Sequence, residues 1–175
     1  MATFLKNHPF PVETHFESSI VLTYAVHKEE LQSLIPECLT LDLFEDKWAF
    51  VALAMVKTKA LRPKGFPAFL GNDFMLTGYR IFVRYKTSTG KNLRGLYIIK
   101  SETDKAKMAF LGNIFTHYKY IKTDIHFSKN DFVIQIQSEK SDLNVEINLL
   151  KEDVSLPQYS PFKDWAAARR FAGPL

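Results

Sequence analysis

Cysteine is almost absent: Cys38 is the single one in 175 residues, so no internal disulfide can form and no thiolate cluster can hold a metal. It follows Pro36 and Glu37 at an expected helix end, where the dipole and a neighbouring acid disfavour the thiolate, and it reads as a small buried residue. The opening Met-Ala-Thr-Phe-Leu-Lys-Asn-His-Pro-Phe lacks the basic segment, apolar stretch and small-residue cleavage site of a secretion signal. Long hydrophobic runs are missing too: the most apolar stretch, residues 48–56, falls far short of the about 20 residues that cross a bilayer. A cytoplasmic location without membrane contact is the expectation. The five histidines, His8, His15, His27, His117 and His126, include no pair at the i, i+4 spacing of a helical zinc site, so neither metal nor cofactor is expected. Charge of one sign is not segregated either. The 23 basic and 19 acidic residues, net +4, are interleaved from end to end, and the densest basic stretch, 57–64, is short and broken by Ala, Leu and Pro. A nucleic-acid partner would need that charge gathered on one face.

What the chain has is apolar and aromatic surface: 46% hydrophobic residues, with 15 Phe and 7 Tyr, a composition suited to pleated sheets. No block of changed composition divides it, and residues 1–175 read as one domain. Residues 16–26 alternate, with Phe16, Ile20, Leu22, Tyr24 and Val26 on one side of a strand. Leu31, Leu34 and Ile35 mark a short helix over 28–35 that Pro36 stops. Residues 39–44 alternate again. The run at 48–56 predicts a strand covered on both faces. The loop 61–72, with two prolines and two glycines, offers Phe66, Phe69 and Leu70 for packing over something. Residues 74–85 and 93–99 form a hairpin with Gly90 in its turn. Asp104 is placed to cap a helix whose stripe is Ala106, Phe110, Leu111, Ile114 and Phe115, ending near His117. Strands over 118–127, 132–137 and 143–149 make a meander, and a last helix spans 161–170. With so few helices to serve as crossovers, the fold class is mainly β or α+β: a strongly bent antiparallel sheet closing into a barrel or cone, with two or three short helices outside.

Three stretches carry a family resemblance. The first holds Leu31, Leu34, Pro36, Leu39 and Asp42, then Trp48 and Leu61-Arg-Pro-Lys-Gly-Phe-Pro; the second joins Gly78-Tyr-Arg-Ile-Phe-Val-Arg to Gly95-Leu-Tyr-Ile-Ile; the third is Arg169-Arg-Phe-Ala-Gly-Pro-Leu. Their order and spacing over residues 15–175 resemble the uncharacterised YqjF-like relatives of acetoacetate decarboxylase. Relatives of this kind often continue beyond the Gly-Pro-Leu where this chain stops. The resemblance implies a barrel or cone with an interior cavity. Acetoacetate decarboxylase forms an imine on a lysine whose pKa an adjacent lysine lowers. Here the equivalent stretch, Gly112-Asn-Ile-Phe-Thr-His-Tyr-Lys-Tyr-Ile-Lys, puts Tyr120 and Ile121 where that lysine pair would stand. No acid stands at the position, near Leu76, where the decarboxylase has its glutamate. Lys119 and Lys122, three apart on an expected strand, would point to opposite faces. Imine chemistry is not expected.

Arg80 sits in an apolar strand on the face of Gly78 and Phe82, where its guanidinium could fork onto a carboxylate or phosphate, or pair with a structural acid. Arg84, near the turn, reads as solvated. Arg94 and Lys100 flank the partner strand and could approach Arg80, and Phe66 could gate a pocket. His117, Tyr118 and Tyr120 are candidates for proton transfer, against the plainer reading of a helix end and core tyrosines. Three functions are open: a non-catalytic binder of a small, partly apolar, anionic molecule; an enzyme moving a proton on a carbonyl or carboxylate substrate; and an interaction module using the 61–72 loop. A small-molecule ligand and a homo-oligomer are the expected partners.

Overall fold

The apolar run at 48–56 falls within β3 (Trp48–Pro63), and alternate residues of that strand feed two different clusters. The computed structural model describes residues 10–150 and 154–172; His8 and the terminal Gly-Pro-Leu lie outside them. Ala49 and Val51 join Leu31, Ile35, Leu41, Ile81 and Val83. Phe50 and Ala52 join Phe82, with Phe44, Phe162 and Phe171 packed against them. A strand buried on both faces has no polar positions to spare, which is why its sequence does not alternate.

The other elements are β1 (Val12–His27), α1 (Lys28–Gln32), β2 (Thr40–Leu41), β4 (Asn72–Lys86), β5 (Asn92–Thr103), α2 (Ala106–Phe115), β6 (Tyr120–Lys122), β7 (His126–Lys129), β8 (Val133–Ser138), β9 (Leu143–Asn148) and α3 (Trp165–Ala172). One sheet runs β1-β3-β4-β5-β6, with β2 on β4; the second runs β7-β8-β9. The first sheet ends at β1 and β6, and no ladder joins those two among the described residues. Contacts gather the chain into two units. The first takes the described residues up to Val21, Ala54–Gly78, and those from Lys100 through β9; the second takes Leu22–Leu53, Tyr79–Ile99 and the segment carrying α3.

In the second unit Asp42 follows β2, which pairs with β4 through Leu41↔Val83, and its side chain is completely buried. Arg84 Nε donates to Asp42 Oδ1 and Arg94 Nε to Oδ2, each at 2.6 Å. Arg94 also donates through Nη2 to the Phe171 carbonyl at 2.8 Å and lies 5.2 Å from that ring's centre. Arg84 is therefore not the solvated residue its place near a turn suggests. Phe171 is held a second time by aromatic packing, 4.8 Å from Phe50, so α3 is fixed by charge at its backbone and by rings at its side chain. Asp164 Oδ1 accepts from Ala167 N at 2.6 Å, the bond of an N-cap, and α3 begins at Trp165 rather than 161.

The first unit carries the main departures from the expected meander. β6 pairs with β5 in parallel, Ser101↔Tyr120 to Thr103↔Lys122, so α2 is a crossover helix where an antiparallel link was expected. The expected strand over 118–127 is split, because Asp124 draws the chain into a polar knot between β6 and β7. Asp104 does not cap α2: its Oδ1 accepts from Met75 N at 2.8 Å, leaving Lys105 at the cap with no side-chain bond. The hairpin turn is as expected, with Gly90 at φ 82. The 61–72 loop does not pack through its aromatics: Phe66, Phe69 and Leu70 are exposed, and Arg62 holds the loop instead, donating to the carbonyls of Phe66 and Ala60 and to Glu13. Cys38 is exposed rather than buried, since it lies in the turn beyond α1, which ends at Gln32. On β1, Phe16 and Tyr24 are exposed and Ile20, Leu22 and Val26 half-buried.

Two stability predictions follow from these carboxylates. Asp42→Ala strands two arginines; because both guanidiniums keep partial contact with water, the loss belongs at about 3 kcal/mol, the low end for a broken buried pair, read by urea unfolding. A loss below about 1 kcal/mol would mean the cluster is not a support. Asp124 has its pKa lowered to about 2, chiefly by the Ser138 hydroxyl at 2.6 Å, helped by its own N–H, Thr123 and Lys140. A lowered folded-state pKa gives stability that is present above the ordinary carboxylate value and lost as pH falls towards 2. Wild type should therefore lose stability relative to Asp124→Asn between about pH 4 and 2, and parallel acid-melting curves would contradict this.

Candidate functional site

The end of α2 and the start of β6 border an open pocket of about 310 Å³ lined by Asn113, Thr116, His117, Lys119 and Tyr120. Its walls are set by local bonds. Asn113 grips the backbone of Tyr120 twice, Oδ1 accepting from its N–H at 2.6 Å and Nδ2 donating to its carbonyl at 2.9 Å. Thr116 Oγ1 donates to the Gly112 carbonyl at 2.7 Å and accepts from Tyr118 N at 3.2 Å, closing the helix end. Gly112 is buried against the Tyr120 ring, and a Cβ added there would collide with it. Lys119 reverses the chain at φ 52, a left-handed conformation unusual for a side-chain-bearing residue.

Two of the three proton-transfer candidates, His117 and Tyr120, thus line one pocket. Tyr118 does not line it; it is exposed and packs edge-on to Tyr120 with ring centres 5.7 Å apart. Lys119 is the residue that strand reasoning misjudged. It precedes β6, so its direction comes from the turn and not from the alternation that governs Lys122.

The arginine candidates fall in the second unit. Phe82 is a core residue, 4% exposed and 6.1 Å from Phe50, and not an open wall. Arg94 gives Nε to Asp42 and Nη2 to the Phe171 carbonyl. Arg80 is half-buried, with Nε buried and no hydrogen-bond partner among the described residues. Lys100, in the first unit, lies 2.7 Å from Glu102. Glu102 is buried and also accepts from Thr77 at 3.2 Å and Ser141 at 2.6 Å, so Lys100 belongs to a buried polar network. Phe66 sits on the exposed loop and lines no part of the pocket. Sequence reasoning missed Asn113, Lys119 and Glu102 as builders of sites. Glu102 carried a signal, an acid between Ser101 and Thr103 at the end of an apolar strand. Among the described residues no cluster of three or more His, Cys, Asp or Glu could hold a metal, and no helix is long and apolar enough to cross a membrane.

No curated protein matches the chain. Its fold is similar to that of acetoacetate decarboxylase from Legionella pneumophila, with a TM-score of 0.61 at 13% identity, covering 82% of this chain and 52% of that one. The chain thus spans about half the length of that protein, and at such identity the likeness concerns fold alone. Residues 13–172 match the model of DUF2071, described as an uncharacterized conserved protein (COG2071). The chain belongs to the DUF2071 family, with a mainly β fold of the acetoacetate decarboxylase kind.

Proposed function

We propose that this chain binds a small, partly apolar, anionic molecule in the α2–β6 pocket, and that it does so without decarboxylating it through an imine. The observation carrying this reading is the composition of the pocket wall: an ammonium group, an imidazole, a phenol, an amide and a hydroxyl, with no carboxylate among the lining residues. The helix end opposes an anion with about half a negative charge. Thr116 and its N–H bond the last-turn carbonyl of Gly112, and the full charge of Lys119 outweighs what remains. The volume suits a molecule at the small end of the ligand range. A closed barrel, implied by the resemblance, and a cytoplasmic location, expected from the single cysteine, belong to the same proposal.

A second reading is favoured by the meeting of His117 and Tyr120 in one pocket: proton transfer on a bound carbonyl or carboxylate compound. Lysine chemistry is not favoured. A nucleophilic lysine must be a free amine, yet tyrosine and isoleucine occupy the positions implied for the lysine pair, and Lys100 is held as an ion pair.

Titration with short aryl and alkyl carboxylates tests the first reading. Lys119→Gln should weaken binding about tenfold, the effect of one charge-assisted hydrogen bond, with an almost unchanged melting temperature; unaltered affinity would remove Lys119 from the site. His117→Gln separates the two readings, since product formation that it abolishes establishes turnover, while binding without product in wild type establishes a binder. Borohydride reduction with acetoacetate should leave the protein mass unchanged, and a stoichiometric adduct on Lys119, Lys122 or Lys100 would contradict this.

A further inference from the structure

We infer that Arg80 is the anchor of a second anion site, in the other unit, that takes the carboxylate or phosphate group of a small ligand. It rests on how this unit treats its arginines and is independent of the α2–β6 pocket. Arg84, four residues along β4 on the same parity, gives its Nε to Asp42, and Arg94 on β5 does the same. Asp42 is the one buried carboxylate among the described residues of this unit, and those two bonds engage both of its oxygens.

Arg80 is left over. No ion pair or hydrogen bond engages its side chain among the described residues, and its Nε is shut away from solvent. A lysine or histidine in that position could shed its proton, but a guanidinium cannot, so it keeps its charge with no acid paired to it among the described residues. A half-buried guanidinium charge of this kind is costly in the empty state and is compensated when an anion arrives. The two Nη groups at the end of the same guanidinium form a fork that matches two oxygens of a carboxylate or phosphate. The residue is half-buried rather than enclosed, so a ligand can approach from solvent. Phe82, two residues along the strand on the same parity, belongs to an apolar cluster with Phe50 and Ala52, which favours a carboxylate with an apolar body over a bare ion.

The sign of a stability change tests this. Arg80→Met replaces the guanidinium by an apolar chain of similar reach, and Arg80→Lys keeps the charge but removes the fork. Melting temperatures of the full chain and calorimetric titrations with benzoate and with inorganic phosphate are the measurements. Arg80→Met should melt at or above the wild-type temperature while one of two benzoate sites weakens at least tenfold, the site that Lys119→Gln leaves intact; Arg80→Lys should lose part of the affinity of that site. Benzoate should bind more tightly than phosphate, and the reverse order would assign the site to a bare phosphate group and overturn the preference for an apolar body. If Arg80→Met melts as far below wild type as Asp42→Ala does, Arg80 is a structural partner and the site is refuted. A wild type that binds neither probe at millimolar concentration refutes it too. Affinity lost in Lys119→Gln but kept in Arg80→Met would place the probe in the α2–β6 pocket instead.

Discussion

Taking an ionised carboxylate out of water costs several kcal/mol unless cations and hydrogen-bond donors replace the water, and each unit of this chain contains one such group. Asp42 is met by Arg84 and Arg94, and through Arg94 it reaches the backbone of Phe171, at the far end of the sequence. Glu102 is met by Lys100, Thr77 and Ser141. Satisfying these two acids links β2, β4, β5 and α3 in one unit, and β4, β5 and the turn before β9 in the other. The apolar clusters supply the bulk of the burial, while the acids select which strands and loops come together around it.

The same requirement separates the cations that the fold explains from those on which the proposed sites rest. Arg84, Arg94 and Lys100 have buried acids as partners and are explained by the fold. Lys119 and Arg80 have no such account. Lys119 is held in a left-handed turn by the bonds of Asn113 and Thr116 on either side, and it faces a pocket without acids. Strain of this kind persists only where surrounding bonds over-determine it, and it gathers at functional positions. The likeness to acetoacetate decarboxylase adds a fold and not a reaction, because the residues implied at the lysine pair are Tyr120 and Ile121.

Much of the fold was legible in the sequence for reasons that can be named. The unbroken run beginning at Trp48 read as a strand covered twice because no polar residue interrupts it, and the β4–β5 hairpin was marked by Gly90. The parallel β5–β6 pair was not legible: three residues of strand after a ten-residue helix look like the start of a longer strand. Asp104 has the right place and chemistry for a cap, but the Met75 N–H on the neighbouring strand competes for the same oxygen, and only tertiary structure reveals the competitor. Of the pocket, His117 and Tyr120 stood out by residue type. Asn113 and Lys119 did not, because a backbone clamp and a left-handed turn leave no periodic trace.

The central claim, that a small anion binds at the end of α2, is tested most directly by following backbone amides by NMR during a benzoate titration. The account predicts saturable shifts concentrated at His117, Lys119 and Tyr120, with a second, separate set around Arg80. Shifts confined to other surfaces, or none at saturating benzoate, would contradict it.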